Sequence, residues 1–172
     1  MKKYILLIAL AVSVLTAKAQ FNVDRLITSG KVALHYEDYV LSIQYFNQVI
    51  ALKPFLYEPW QYRAVAKFYL DDFVGAETDA SEAIALNPYI DILYDLRAIS
   101  RIRQEDYAGA IADYNKAIAI SPDTRNYWFN RAICMLNSKD YDDALAQTDS
   151  IIRKWQRFAN AYQLKAEVWL NK

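Results

Sequence analysis

Apolar and polar positions alternate in blocks along the chain from Val23 onward, and short polar breaks separate the blocks. In the block from Ile90 to Ile102, the side chains of Ile92, Ile99 and Ile102 would share one side of a helix with its 3.6 residues per turn. Glycine and proline are scarce, at 3 and 4 residues, which suits long helices with short connections. The pattern predicts an all-α chain built as helix, turn, helix, turn.

Four segments that each open with an aspartate recur at a spacing of 34 residues. They begin at Asp38, Asp72, Asp106 and Asp140, and the first three close on Pro54, Pro88 and Pro122. Each aspartate stands just before the second helix of a predicted pair, where its carboxylate can accept hydrogen bonds from free backbone N–H groups. A fixed period of this length predicts a repeat protein, in which neighbouring units stack to share a core.

The repeated unit resembles the tetratricopeptide repeat (TPR) family. The family's aromatic residue near the start of the first helix is matched by Trp60, Tyr94, Trp128 and Tyr162. Its small residue, where the two helices approach most closely, is matched by Gly30, Ala64, Ala98, Ala132 and Ala166. The resemblance runs from Val23 to the C-terminus and implies a right-handed α-solenoid of antiparallel helix pairs, whose first helices line the concave face.

We expect four TPR units followed by one further helix. The expected units are 23–56, 57–90, 91–124 and 125–158. Residues 159–172 repeat the first helix of a unit, and serve either as a capping helix or as the first helix of a fifth unit in a longer array. In both cases the incompletely covered last helix is a candidate for self-association or for docking the rest of a longer protein.

The resemblance also implies which residues face the concave surface, where a partner would bind. They are Gln61, Val65, Phe68, Tyr69, Ile92, Asp95, Ile99, Ile102, Arg103, Asn126, Phe129, Ile133, Leu136 and Asn137. This set is mainly apolar, and it lacks the clamp of lysines and asparagines with which TPR proteins hold chaperone C-termini. An apolar groove fits a helix or an extended hydrophobic segment of a partner, so we predict a protein–protein interaction scaffold.

Three alternatives to a protein-binding groove stay open at this point. Part of the concave surface could be core beneath a tightly wound superhelix. The same aromatic side chains could instead bind a glycan or small ligand, with Tyr69 and Phe129 stacked on sugar rings. The array could also be a structural spacer or assembly domain of a larger envelope protein.

A row of cations recurs with the repeat: Arg63, Arg97 and Arg131 stand 34 residues apart and Lys165 continues the series. Such a row could recognise an acidic ligand. However, Asp79 and Asp113 recur on the second helices of the units that carry the first two arginines. The spacing favours internal Arg–Asp pairing that ties neighbouring helices together.

Charge and candidate chemistry narrow the functional classes. Lysine plus arginine equals aspartate plus glutamate at 20 each, so net charge gives no reason to expect nucleic acid as a partner. His35 is the only histidine and Cys134 the only cysteine, which excludes a histidine- or cysteine-based metal cluster. A solenoid keeps these two residues apart, and we find no glycine-rich phosphate loop. We therefore predict no enzymatic activity, no cofactor and no metal.

The first nineteen residues have the layout of a secretory signal peptide. Lys2 and Lys3 precede an apolar run from Tyr4 to Leu15, and small residues flank Lys18 before an expected cleavage after Ala19. The alternative is a retained membrane anchor, but a spanning helix needs about 20 apolar residues and this run has 12. We predict a bacterial periplasmic or secreted protein that has no membrane association after cleavage.

Overall fold

The computed structural model describes residues 22–172, and over this range the chain consists of helices joined by short turns. The helices are α1 (22–35), α2 (Tyr39–Leu52), α3 (Tyr57–Tyr69), α4 (Phe73–Leu86), α5 (Asp91–Ile102), α6 (Tyr107–Ile120), α7 (Arg125–Asn137), α8 (Tyr141–Lys154) and α9 (Ala159–Asn171). The described range contains no strand, and the predicted all-α fold is confirmed. The predicted signal peptide, residues 1–19, lies outside the described residues.

The helices from α2 onward form a stack in which each one packs mainly against the next. Alternate helices also touch, since α3 contacts α5 and α7 contacts α9. Units that contact only their neighbours make a quasi-one-dimensional solenoid, as the repeat predicts. Within residues 22–172 no helix is long and apolar enough to cross a membrane.

The turn within each helix pair has the same hydrogen bonds in every unit. The N–H of each recurring aspartate donates to the carbonyl five residues earlier, at Ala33, Lys67, Arg101 and Met135, over 2.9–3.0 Å. The residue before each aspartate has a left-handed backbone, with φ between 60° and 66° at Glu37, Asp71, Glu105 and Lys139. These are the features of a Schellman helix ending, a position that usually belongs to glycine.

Three of the four recurring aspartates cap the second helix of their pair. Asp38, Asp72 and Asp106 accept hydrogen bonds from the N–H groups of Leu41, Gly75 and Gly109 over 2.9–3.1 Å. The prediction is wrong for Asp140, which forms no side-chain cap. Its carboxylate instead accepts a hydrogen bond of 2.6 Å from the hydroxyl of Ser138, which the other three turns do not carry at that position.

Small residues allow the two helices of each pair to approach, as predicted. Ala64, Ala98 and Ala132 are fully buried. A Cβ added to Gly30 would lie only 2.7 Å from Cζ of Phe46, so this unit needs glycine where the others accept alanine. Ala166 is exposed, and its predicted packing role is wrong because no second helix follows α9 within the described residues.

The recurring aromatic residues also tie neighbouring units together through a hydrogen bond that the sequence analysis did not foresee. The polar atom of each ring donates to the carbonyl six residues earlier. The pairs are Trp60 to Pro54, Tyr94 to Pro88, Trp128 to Pro122 and Tyr162 to Gln156, at 3.0–3.1 Å. Gln156 stands where the earlier units have proline. The hydrogen bond still forms there because its acceptor is a main-chain carbonyl.

Candidate functional site

An open groove runs between α3 and α5 on the side formed by the first helices. It encloses about 200 Å³ and is lined by Gln61, Val65, Phe68, Tyr69, Ile92, Asp95, Leu96 and Ile99. All of these except Leu96 were predicted to face the concave surface. We call this site the α3–α5 groove.

The floor of the α3–α5 groove is shared with the core, whereas its walls are exposed. Val65 and Ile99 are half-buried and pack against the buried cluster that contains Leu96. Ile92 and Tyr69 are 49% and 60% exposed. A core role therefore applies to the floor. Of the two walls, Tyr69 stacks on Tyr39 of α2 with ring centroids 5.0 Å apart and still leaves much of its surface open, and Ile92 presents apolar surface to solvent.

A second groove lies between α7 and α9, and we call it the α7–α9 groove. It encloses about 230 Å³ and is lined by Phe129, Ile133, Leu136, Asn137, Asn160, Gln163, Leu164 and Glu167. Leu136 is 9% exposed and belongs to the core cluster, so it forms the floor rather than an accessible wall. The side that α9 contributes is largely polar, so this groove suits an apolar segment less well.

Sequence reasoning missed the residues of α9 that line the second groove. Gln163 and Glu167 stand one 34-residue period after Phe129 and Ile133, so extending the period would have identified them. Leu96 was missed because it falls between the predicted surface positions and is 6% exposed.

Three predicted concave residues lie outside both grooves. Ile102 packs against the core cluster beneath α5 and α6. Asn126 is exposed in the first turn of α7. Arg103 is exposed at the end of α5, where its guanidinium lies 4.3 Å from the ring centroid of Phe73 and 3.5 Å from a carboxylate oxygen of Asp71.

Asp95 is the charged residue among those that line the α3–α5 groove. It is half-buried, and its Oδ1 atom is buried without a hydrogen-bond partner. Burial raises the pKa of this carboxyl above its ordinary value, Tyr114 offsets part of the increase, and the nearby charge of Asp91 adds to it. The Tyr114 hydroxyl lies beside this carboxyl and lowers its pKa as a hydrogen-bonding neighbour, although the two groups are not in full hydrogen-bond geometry. Asp91 accepts a hydrogen bond of 3.1 Å from the hydroxyl of Tyr127.

The recurring arginines lie between helices rather than in either groove, and the predicted Arg–Asp pairing is confirmed. Arg63 donates two hydrogen bonds of 2.7 Å to Asp79, and Arg97 donates bonds of 2.6–3.2 Å to Asp113. Each arginine also reaches the preceding unit, at Asn47 and Ser81 respectively.

The third and fourth cations of the row deviate from this pairing. Arg131 donates to the side-chain oxygens of Asn115 and Gln147 instead of a carboxylate. Burial lowers the pKa of Arg131, and its Nε atom is buried without a partner. Lys165 forms an ion pair of 2.6 Å with Asp149. All four cations therefore have internal partners.

Cys134 lies in the core on α7. Burial raises the pKa of its thiol to about 12, so the thiol is protonated at neutral pH and is not a reactive nucleophile. The side chain acts as a small apolar residue in the core.

Comparison with known proteins identifies similar repeats and folds. Residues 101–168 match the family model described as "Tetratricopeptide repeat". A comparison with curated proteins finds no match. The crystal structure of MamA protein is 22% identical, with a TM-score of 0.76 over 83% of this chain and 79% of that one.

Two further solved structures are TPR proteins that are linked to peptides. The first TPR of Spaghetti (RPAP3), bound to the HSP90 peptide SRMEEVD, is 22% identical with a TM-score of 0.64 over 66% of this chain and 90% of that one. YrrB, described as a TPR protein with an unusual peptide-binding site, is 12% identical with a TM-score of 0.75 over 85% and 75% of the two chains. At these identities the similarity concerns the fold.

Proposed function

We propose that this chain, whose residues 101–168 match the tetratricopeptide repeat model, is a scaffold that binds a partner polypeptide along its concave face. The proposal places the partner in the α3–α5 groove. The observation that carries it is the combination of exposed apolar walls, at Ile92 and Tyr69, with a floor that packs against the core. Burying such walls is favourable by about 25 cal/mol per Å² of apolar surface.

The groove suits an extended or helical segment better than a compact small ligand. It is open along its length, and apolar side chains from two successive helices line it. Recognition of this kind works through side chains spaced along the bound segment. The peptides linked to the Spaghetti and YrrB structures support a polypeptide as the occupant.

An acidic peptide like that of the Spaghetti structure fits the groove poorly. SRMEEVD carries three acidic residues, whereas the α3–α5 groove presents Asp95 and no lysine or arginine. We therefore propose a partner segment that differs in charge from that peptide.

Export belongs to the same proposal. The basic start, the apolar run and the small residues around Lys18 support a cleaved signal peptide over residues 1–19. The partner would then be a protein of the bacterial envelope or its surroundings. Mass spectrometry of the N-terminus of the protein made in a bacterial host tests this step, and a mature chain that begins at Gln20 is expected.

The binding proposal is tested by selection of a displayed random peptide library on the chain, followed by calorimetry with a synthetic selected peptide. Ile92→Lys places a charge on the apolar wall and should weaken binding at least tenfold, a change of about 1.4 kcal/mol. Val74→Lys changes a more exposed apolar residue, 65% accessible on α4, and should leave the affinity unchanged.

Several outcomes would contradict the binding proposal. They are the absence of any selected peptide, equal affinity of both variants, or stabilisation of the fold by sugars instead of peptides.

Self-association through α9 stays a prediction. Tyr162, Trp169 and Leu170 are 48%, 59% and 88% exposed there, and sedimentation velocity would detect a dimer.

A further inference from the structure

We propose that the segment bound in the α3–α5 groove carries a lysine or arginine whose cation pairs with Asp95. The inference rests on the proposed function and specifies the chemistry of the partner. The groove would then bind an apolar segment that carries one basic side chain.

The first support is that Asp95 has no counter-ion within the protein. No cation of residues 22–172 lies within ion-pair distance of its carboxylate. Oδ1 is buried, and the neutral Tyr114 hydroxyl beside it is not in full hydrogen-bond geometry. A carboxylate that is taken out of water without a partner is costly, so it is a poor choice for a purely structural position.

The second support is that the buried carboxylates of Asp79 and Asp113 form ion pairs inside the protein. Asp79 and Asp113 are each 1% exposed. Asp79 pairs with Arg63 and Lys67 at 2.7 and 2.9 Å, and Asp113 pairs with Arg97 and Arg101 at 2.6 and 2.8 Å. Each of these carboxylates is paired with two cations, whereas Asp95 is paired with none among the described residues.

The third support comes from the groups that face Asp95 on the neighbouring helices. Asp91, one turn earlier on α5, adds negative charge, and Tyr114 on α6 is a neutral phenol. Gln61 of α3 shares the groove, and Asn130 of α7 interacts with Tyr114. These neighbours are neutral or acidic, so together they favour a cation as the incoming group.

The surrounding groove fits the rest of such a side chain. Lysine and arginine carry long apolar stems that lie along apolar surface while the charged head reaches a polar group. Ile92 and Ile99 lie on α5 with Asp95 and line the same groove. A bound cation would also favour the ionised carboxylate and so reverse the increase that burial causes in the pKa of Asp95.

The test is a double-mutant cycle between the protein and a peptide selected from the displayed random library. The peptide is made with its basic residue and again with norleucine there, which keeps the apolar stem without the charge. Against the parent protein the norleucine peptide should bind about tenfold more weakly. Against Asp95→Asn the two peptides should bind equally, and Glu82→Gln, at an exposed position on α4, should behave like the parent.

The outcomes separate this inference from the proposed function. Selected peptides without enrichment in lysine or arginine, or an equal loss from norleucine in the parent and in Asp95→Asn, would overturn the pairing while groove binding stands. Failure to select any peptide would overturn both. The norleucine comparison needs no change in the protein, so an effect of Asp95→Asn on folding cannot hide the result.

Discussion

The chain buries carboxylates in two regions, and they are paired with cations in only one of the two. Between the helices of a pair, Asp79 and Asp113 are almost fully buried and each meets two cations. In the α3–α5 groove, Asp95 is half-buried and meets none among the described residues. Asp95 and Asp113 lie in the same unit, 91–124, so the period alone does not explain the difference.

The comparison separates structure from function on physical grounds. A fully paired buried carboxylate has all its interactions inside the protein and has nothing left to offer a partner. An unpaired carboxylate beside exposed apolar walls costs free energy until something binds, and such a cost is commonly found at functional sites. The paired carboxylates therefore belong to the fold, whereas for Asp95 we propose a role in recognition.

The largest expected effect is the loss of a paired carboxylate. Asp113→Asn removes the counter-charge of Arg97 and Arg101 and should lower the free energy of unfolding by about 3 kcal/mol, as measured by urea denaturation. A loss below about 1 kcal/mol, the size of a surface ion pair, would contradict the assignment of Asp113 to the fold.

A smaller change, this time a gain in the free energy of unfolding, is expected when the Arg–Asp pair is restored in the fourth unit. Gln147 stands one period after Asp113, and Gln147→Asp would give Arg131 the carboxylate that Arg63 and Arg97 have. Because a charge-assisted hydrogen bond is stronger than a neutral one, urea denaturation should show a gain of about 1 kcal/mol. A loss of stability would show that the bond of 3.3 Å from Gln147 to the Trp128 carbonyl matters more than the charge.

Asp95→Asn should raise the free energy of unfolding, whereas Asp113→Asn lowers it. The size of this gain should depend on pH. Because the folded-state pKa of Asp95 is raised above 3.8, its favourable contribution is complete below that value and is lost as pH rises through the raised pKa. The variant should match the parent in acid and exceed it by up to about 1 kcal/mol at neutral pH. Thermal melts at both pH values test this, and equal stability at neutral pH would mean that Asp95 is not strained.

The smallest effect concerns the turns that both regions share. Glu105 has φ 62°, a conformation that costs a residue with a side chain about 1 kcal/mol or more. Glu105→Gly should therefore stabilise the chain by about 0.5 kcal/mol after the extra flexibility of unfolded glycine is subtracted. The same change at Lys116, exposed inside α6, should destabilise the chain and serves as the control.

The fold was predictable because its determinants are local and repeat at a fixed period. The 34-residue spacing was enough to predict the aspartate caps and the Arg–Asp pairs from the sequence alone. It failed at Asp140, because Ser138 competes for that carboxylate. It failed at Ala166, because the packing of a small residue depends on a partner helix that does not follow α9 within the described residues.

The groove was only partly predictable, because it depends on distances between units. The family resemblance implied most residues that line the α3–α5 groove, including Ile92 and Asp95. It could not show that Ile102 turns into the core. Nor could it distinguish Asp95 from Asp113, because whether a carboxylate has a partner depends on three helices that meet in space.

The most direct test of the account is to map where a library-selected peptide binds, by backbone amide chemical shifts. The account predicts that shifts concentrate on the inner sides of α3 and α5, from Gln61 to Tyr69 and from Ile92 to Ile99, and that the side chain of Asp95 shifts only with the peptide that carries the basic residue. Shifts concentrated on α9, or on the outer helices α4 and α6, would contradict it.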